Sequence, residues 1–173
     1  TVLQVRLNPT VKSIKNILSD GSLGKIRGIS LVQRWQRPFE YFTGWRAEPF
    51  IGGGTLYECG IHYMDILCYL FGKPIVKSST TYNTKHLNCE IEDTIYSLLD
   101  FKDYGGTLEV TISTEPSNLE CSISIITEKG YVKLGGKALD KIEDCKFEDD
   151  KTKLHFEKIV NKMGKSKEPN SYG

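Results

Sequence analysis

The stretch IVKSSTTYNTKHLNCEIEDTIYSLLDFKDYGGTLEVTISTEPSNLECSISIITEKGYVKL, residues 75–134, decides the fold class. It divides into short runs with strand character, over 75–82, 91–101, 107–113, 121–127 and 131–134. Tyr104-Gly105-Gly106 and Glu128-Lys129-Gly130 supply turns between several of them. No helical pattern intervenes, and consecutive strands without crossover helices argue for antiparallel pairing. The expected class is therefore α+β with a mostly antiparallel sheet.

Working outward toward the N-terminus, residues 55–71 form an apolar helix stopped by Gly72 and Pro74. Before it, 39–51 is an aromatic, charged loop with little periodicity, and 25–35 reads as a strand closed by Pro38. Asn8-Pro9-Thr10 offers a helix start, because Asn caps and Pro tolerates the first turn. Val11, Ile14, Ile17 and Leu18 then fall on one face, and Gly21 and Gly24 end the helix. Val2, Leu3, Val5 and Leu7 read as a strand that begins at the first residue with no starting Met, so the chain looks like a piece of a longer one. Beyond Lys146 the chain is charged and weakly patterned, and residues 169–173 read as a loop cut short. There is no internal repeat.

The bulk numbers narrow the function classes. At 173 residues the chain fits one domain, with 39% hydrophobic and 26% charged residues as in ordinary globular proteins. Lys plus Arg number 23 against 22 acids, a net charge of +1, which gives no electrostatic footprint for nucleic acid or an anionic membrane. Any anionic ligand must be held by a local cluster of bases. The five cysteines, Cys59, Cys68, Cys89, Cys121 and Cys145, are odd in number and contain no Cys-x-x-Cys, so they are expected as buried, reduced thiols of a cytoplasmic protein. No signal peptide is expected, and the longest apolar run, residues 66–71, is too short to span a bilayer.

The segment carrying chemistry is Gly52-Gly-Gly-Thr-Leu-Tyr-Glu-Cys-Gly-Ile-His-Tyr-Met-Asp65. From Leu56 to Phe71 almost every residue is apolar, so the helix is expected to be buried nearly all round. Glu58, His62 and Asp65 are the exceptions, at offsets of four and three that place them on one face. Burying ionisable groups is costly unless they are paired. One reading is an acid–base site in which His62 faces a cavity and a carboxylate sets its orientation. Another is that His62 and Asp65 simply bond to neighbouring loops. A third makes Glu58 and His62 metal ligands, but no further His lies nearby to complete a site.

That segment resembles the signature helix of the glucose–fructose oxidoreductase/inositol dehydrogenase/MocA family. Glu92-Asp93-Thr94, Gly106-Thr107-Leu108-Glu109 and Gly130-Tyr131-Val132 continue the likeness in order, over about nine-tenths of the chain. The resemblance implies the family's C-terminal domain: an open, mostly antiparallel sheet with helices packed on one face, and homo-oligomers formed through that sheet. It implies that residues 1–173 are a substrate-binding and oligomerisation domain, with an N-terminal Rossmann domain upstream that binds NAD or NADP. Nothing in this chain is expected to bind the cofactor or a metal: no Gly-x-Gly-x-x-Gly follows a strand, and the family's Glu-Lys-Pro motif would lie before Thr1. His62 takes the family's acid–base position, and Glu58 sits where relatives have Asp, Asn or Gln. Hydride would pass between a sugar carbon and the nicotinamide ring while His62, or the upstream Lys, exchanges the hydroxyl proton. On this reading the fragment alone is inactive.

Within the family, Arg6-Leu-Asn-Pro-Thr10, Arg34-Trp-Gln-Arg37-Pro, Glu40-Tyr41 and Trp45-Arg46 are most similar to nucleotide-sugar 3-dehydrogenases, which act on UDP-N-acetylglucosaminuronate in polysaccharide biosynthesis. Arginine binds carboxylate or phosphate through paired hydrogen bonds, and Trp or Tyr stacks on a sugar or base. Arg6, Asn8, Arg34, Arg37, Tyr41, Trp45 and Arg46 are the expected substrate-binding residues. Two alternatives stay open: a neutral-sugar or inositol dehydrogenase domain, and a non-catalytic sugar-binding or oligomerisation module.

Overall fold

A computed structural model describes residues 3–51 and 53–164. Strand β1 (Ile26–Arg34) lies at the centre of a seven-stranded sheet. The other strands are β2 (Ile75–Tyr82), β3 (Thr94–Asp100), β4 (Gly105–Thr111), β5 (Glu120–Thr127), β6 (Gly130–Gly135) and β7 (Lys141–Phe147). Their spatial order is β2-β3-β4-β1-β5-β6-β7. All neighbours run antiparallel except β1 and β4. The helices are α1 (Pro9–Ser19), α2 (Ile61–Phe71) and α3 (Asp150–Gly164). This is the α+β open sheet that the strand run implies, with helices on one face.

Alternation along β1 separates the two faces. Ile29, Leu31 and Gln33 are buried, while Ser30, Val32 and Arg34 point to the other side. The buried face joins Val11, Ile14 and Ile17 of α1 with Tyr63, Ile66, Leu67 and Leu70 of α2 in one core. A second, smaller cluster, Phe42, Cys59, Ile91 and Ile112, lies beside it and ties the 39–51 loop to the sheet. No described helix is long and apolar enough to cross a membrane.

Five local expectations are revised. Val2 lies outside the described residues, and Gln4–Leu7 forms a single 3-10 turn rather than a strand. The alternation at Leu3, Val5 and Leu7 joins no ladder, and the N–H groups of Arg6 and Asn8 are bonded locally to the Leu3 and Val5 carbonyls. Asn8 occupies the N-cap position of α1 without a side-chain cap bond; its amide is drawn instead to the carbonyl of Ala138 at 2.5 Å.

The helix over 55–71 begins with a π-helical turn, Leu56–Gly60, before α2 proper, and it is not buried all round: Tyr57 is 64% and Ile61 37% exposed. Cys68 and Cys145 are exposed rather than buried, and all five thiols are free.

β7 stands where no strand is expected, and the weakly patterned tail beyond it contains α3. The Asp149 carboxylate accepts from the Thr152 N–H at 2.7 Å and starts α3, Phe147 meets Phe156 at 4.8 Å, and His155 reaches Asp20 on the α1 side. The expected loop at 169–173 lies outside the described residues.

Candidate active site

The glycine run before α2 is packed, not open. A Cβ on Gly53 would meet the Arg46 carbonyl oxygen at 2.5 Å and that of Glu48 at 2.8 Å; one on Gly54, whose φ is +109°, would meet the Glu92 carboxylate at 2.6 Å. Thr55 then donates its hydroxyl to the Glu92 carbonyl at 2.9 Å. The run thus brings the 46–48 loop, the 91–92 segment and the start of the helix together. Gly52 lies outside the described residues.

Glu58 lies in the π-turn, an element that tends to appear at functional sites. Its Oε2 accepts from the Tyr41 hydroxyl at 3.0 Å and from Arg46 Nε at 3.1 Å. Arg46 in turn stacks on Trp45 and Tyr41, at 4.9 and 5.4 Å from the ring centroids. Burial, and then the neighbouring Cys59 and Glu58, push the Tyr41 phenol up to about 12, so it stays a neutral donor. Burial also raises the Cys59 thiol, which makes it a poor nucleophile.

Asp65 forms a bidentate pair with Arg6, whose guanidinium lies 5.1 Å above the Tyr69 ring. Neither carboxylate of the polar stripe therefore holds His62. The imidazole is half-buried rather than sealed, on the shoulder of α2 beside exposed Ile61, and its Nδ1 is buried with no hydrogen-bond partner among the described residues.

The predicted substrate residues fall into three groups. Arg37, Tyr41, Trp45 and Arg46 come together with Glu58. Arg37 stacks on Trp35 and Tyr41 at 4.9 and 5.4 Å and donates to the Gln36 carbonyl at 2.8 Å, but it has no carboxylate partner among the described residues. Arg6 lies along α2, paired with Asp65 and above Tyr69, and Asn8 is bonded to the Ala138 carbonyl. Arg34 does not belong to the site. It sits on the opposite, open face of the sheet, bidentate to Glu109 at 2.6 and 2.7 Å and bonded to Glu120 at 3.0 Å, because strand alternation turns it away from Gln33.

A buried support escaped the sequence reading. Asp93 is fully buried and accepts from the backbone N–H groups of Thr84, Lys85 and His86, at 2.9, 2.7 and 3.1 Å. His86, equally buried, contacts the Pro38 carbonyl through Nε2 at 3.0 Å and meets Phe42 edge-on at 5.2 Å. Lys85 donates to the Arg37 carbonyl at 2.6 Å. The 83–93 loop thus clamps the 37–42 segment that carries Arg37 and Tyr41. Glu92-Asp93-Thr94 was visible as a strand opening, but no periodicity announces His86. Among the described residues no three His, Cys, Asp or Glu side chains are grouped to hold a metal.

The family model described as GFO/IDH/MocA C-terminal domain matches residues 11–133. The solved structure of the WlbA dehydrogenase from Bordetella pertussis, in complex with NADH and UDP-GlcNAcA, superposes with a TM-score of 0.79 at 31% identity, covering 94% of this chain and 49% of that one. WlbA from Chromobacterium violaceum, also with NADH and UDP-GlcNAcA, gives 0.79 at 30% identity, covering 94% and 51%. The scyllo-inositol 2-dehydrogenase (NADP(+)) IolW of Bacillus subtilis is 31% identical over 101 residues, 56% of this chain and 28% of that protein. The chain spans about half the length of the solved structures and less of IolW.

Proposed function

The chain belongs to the GFO/IDH/MocA family, matching its C-terminal domain, and on that premise we propose that it is the substrate-side part of an NAD(P)-dependent sugar oxidoreductase. The observation that carries this reading is His62: a half-buried imidazole with a bare, buried Nδ1, standing on a helix shoulder whose two carboxylates are already neutralised by arginines. Such a ring is free to exchange a proton with a ligand hydroxyl.

The residues present fit the sugar and not the dinucleotide. Gly53 and Gly54 are filled against Arg46, Glu48 and Glu92, so no glycine-rich cradle for a pyrophosphate exists among the described residues. NAD or NADP would be held by another part of the parent protein, where its nicotinamide exchanges hydride with the sugar carbon. The coverage of about half of each WlbA chain supports that division. What this chain contributes is the proton site at His62, an anion site at Arg37, and the Tyr41 and Trp45 rings as a stacking surface. Glu58 acts as the clamp that fixes Tyr41 and Arg46, rather than as an acid or base. Arg6 and Asn8 are taken up by Asp65 and by the Ala138 carbonyl and leave the ligand contact to the Arg37 group.

A UDP-hexuronate-like substrate is favoured by Arg37, the arginine of this region without a carboxylate partner, and by the ligand of the two WlbA structures. The likeness to IolW favours a second reading, a neutral polyol or sugar. Assaying the parent protein and its Arg37→Ala variant against UDP-hexuronates, UDP-hexoses and inositols, with NAD and with NADP, tests both. The first reading predicts that Arg37→Ala raises KM for the uronate at least roughly tenfold and leaves neutral substrates unchanged. Equal effects on both classes contradict it. The open sheet face, with Leu98 55% and Ile126 54% exposed, is the proposed surface for a second copy.

A further inference from the structure

Two buried polar groups at the start of α2 and on the sheet beneath it lack a partner among the described residues. Gln33 is fully buried on the core face of β1, and neither its Oε1 nor its Nε2 has a hydrogen-bond partner among the described residues. His62 Nδ1 is the second. Of the remaining buried side-chain atoms in that condition, Ser22 Oγ lies at the end of α1 and Asn83 Oδ1 in the 83–93 loop, so Gln33 is the one on the sheet under α2.

The packing places the amide there. Gln33 is flanked in register by Val110 on β4 and by Cys121 on β5. A Cβ on Gly60 would lie 3.4 Å from Val110 Cγ1, and the Tyr63 ring stands edge-on against Trp35 at 5.7 Å. Gly60 rests on Val110 beside Gln33, and Tyr63, next to His62, packs on Trp35, two residues beyond Gln33. A buried primary amide is costly when unpaired, and internal water is its usual partner where no protein group reaches it.

The chemistry asks for an acceptor at this place. A neutral imidazole can take a proton at Nε2 only if its own proton sits on Nδ1, and that tautomer is fixed by whatever Nδ1–H bonds to. Glu58 and Asp65, the carboxylates one turn away, are bonded to Arg46 and Arg6 instead. We propose that Gln33 is the positioning residue for His62: Nδ1–H donates to one internal water, which donates to Gln33 Oε1, leaving Nε2 as the acceptor for a substrate hydroxyl. The proposal rests on the proton-exchange role given to His62 above.

The tautomer can be read without any turnover. In the ¹⁵N-labelled chain at mildly alkaline pH, long-range ¹H–¹⁵N correlations of the His62 ring are expected to show Nδ1–H, with cross-relaxation from Nδ1–H to a long-lived water. Gln33→Met, close in size, is expected to move the ring toward Nε2–H, and Gln33→Glu, which keeps the acceptor, to restore Nδ1–H. An Nε2–H ring in the unaltered chain, no water cross-relaxation there, or an unchanged tautomer in Gln33→Met would overturn the proposal; the first two need no variant to fold. In the parent protein Gln33→Met should lower kcat roughly tenfold or more with KM nearly constant. A tautomer that shifts while kcat does not would leave Gln33 in place and remove the catalytic role of His62.

Discussion

At Asp93 a carboxylate with no exposed surface is held by the backbone of the loop it anchors. Burial by itself would raise its pKa, but the N–H groups of Lys85 and His86, the Ser113 hydroxyl and the Thr84 N–H bring it down to about 2. The folded value is depressed, so the stabilisation is present above the unfolded value of about 3.9 and is lost as pH falls toward the folded value. A shift of this size is worth about 2 to 3 kcal/mol. Urea unfolding of Asp93→Asn should therefore show a loss of that order at neutral pH and a flatter stability profile between about pH 4 and 2. An unchanged profile would mean that the carboxylate does not hold the loop. The same residue shows the reach of sequence reading. Glu58, His62 and Asp65 were legible as a stripe because helical spacing displays it, and Arg37 as a base because its neighbours are aromatic. What Asp93, His86 and Gln33 do depends on how a loop closes on itself and on contacts to Pro38 and Val110 far along the chain, which no local pattern carries.

The start of the α2 segment depends on close approach of three loops. A methyl group on Gly53 would press on the carbonyl oxygens of Arg46 and Glu48, and backbone cannot move aside cheaply. Gly53→Ala should cost about 1 to 3 kcal/mol in thermal or urea unfolding and should loosen the Arg46–Glu58 contact. A variant of unaltered stability would show that the loop gives way. In α2 itself Ile66 is fully buried in the core, and Ile66→Ala should cost about 2 to 5 kcal/mol by the same measurement. Elements that bury a strong stripe, such as α1 and β1, were legible from spacing. β7 and α3 were not, because β7 is a largely exposed edge strand and α3 buries little beyond Thr152 and Phe156. The 3-10 turn at Gln4–Leu7 mimics a strand in sequence, but the N–H groups of Arg6 and Asn8 are satisfied within the turn.

The molecule as a whole presents two unlike faces. One side of the sheet is covered by the helices and carries His62. The other is open, crossed by the ion pairs Glu109–Arg34–Glu120–Lys133–Glu143 and dotted with Tyr96, Leu98 and Ile126. If that open face joins two copies, Leu98→Asp and Ile126→Asp should shift the chain to monomer in analytical ultracentrifugation without lowering its melting temperature; unchanged mass would exclude the face. The catalytic account concerns the opposite side and is tested there. In the parent protein supplied with NAD or NADP and its sugar, His62→Ala should reduce kcat by roughly a hundredfold or more, as loss of a proton-transfer group does. A reduction of less than about threefold would contradict the account, leaving His62 as a residue that only fills the shoulder of its helix.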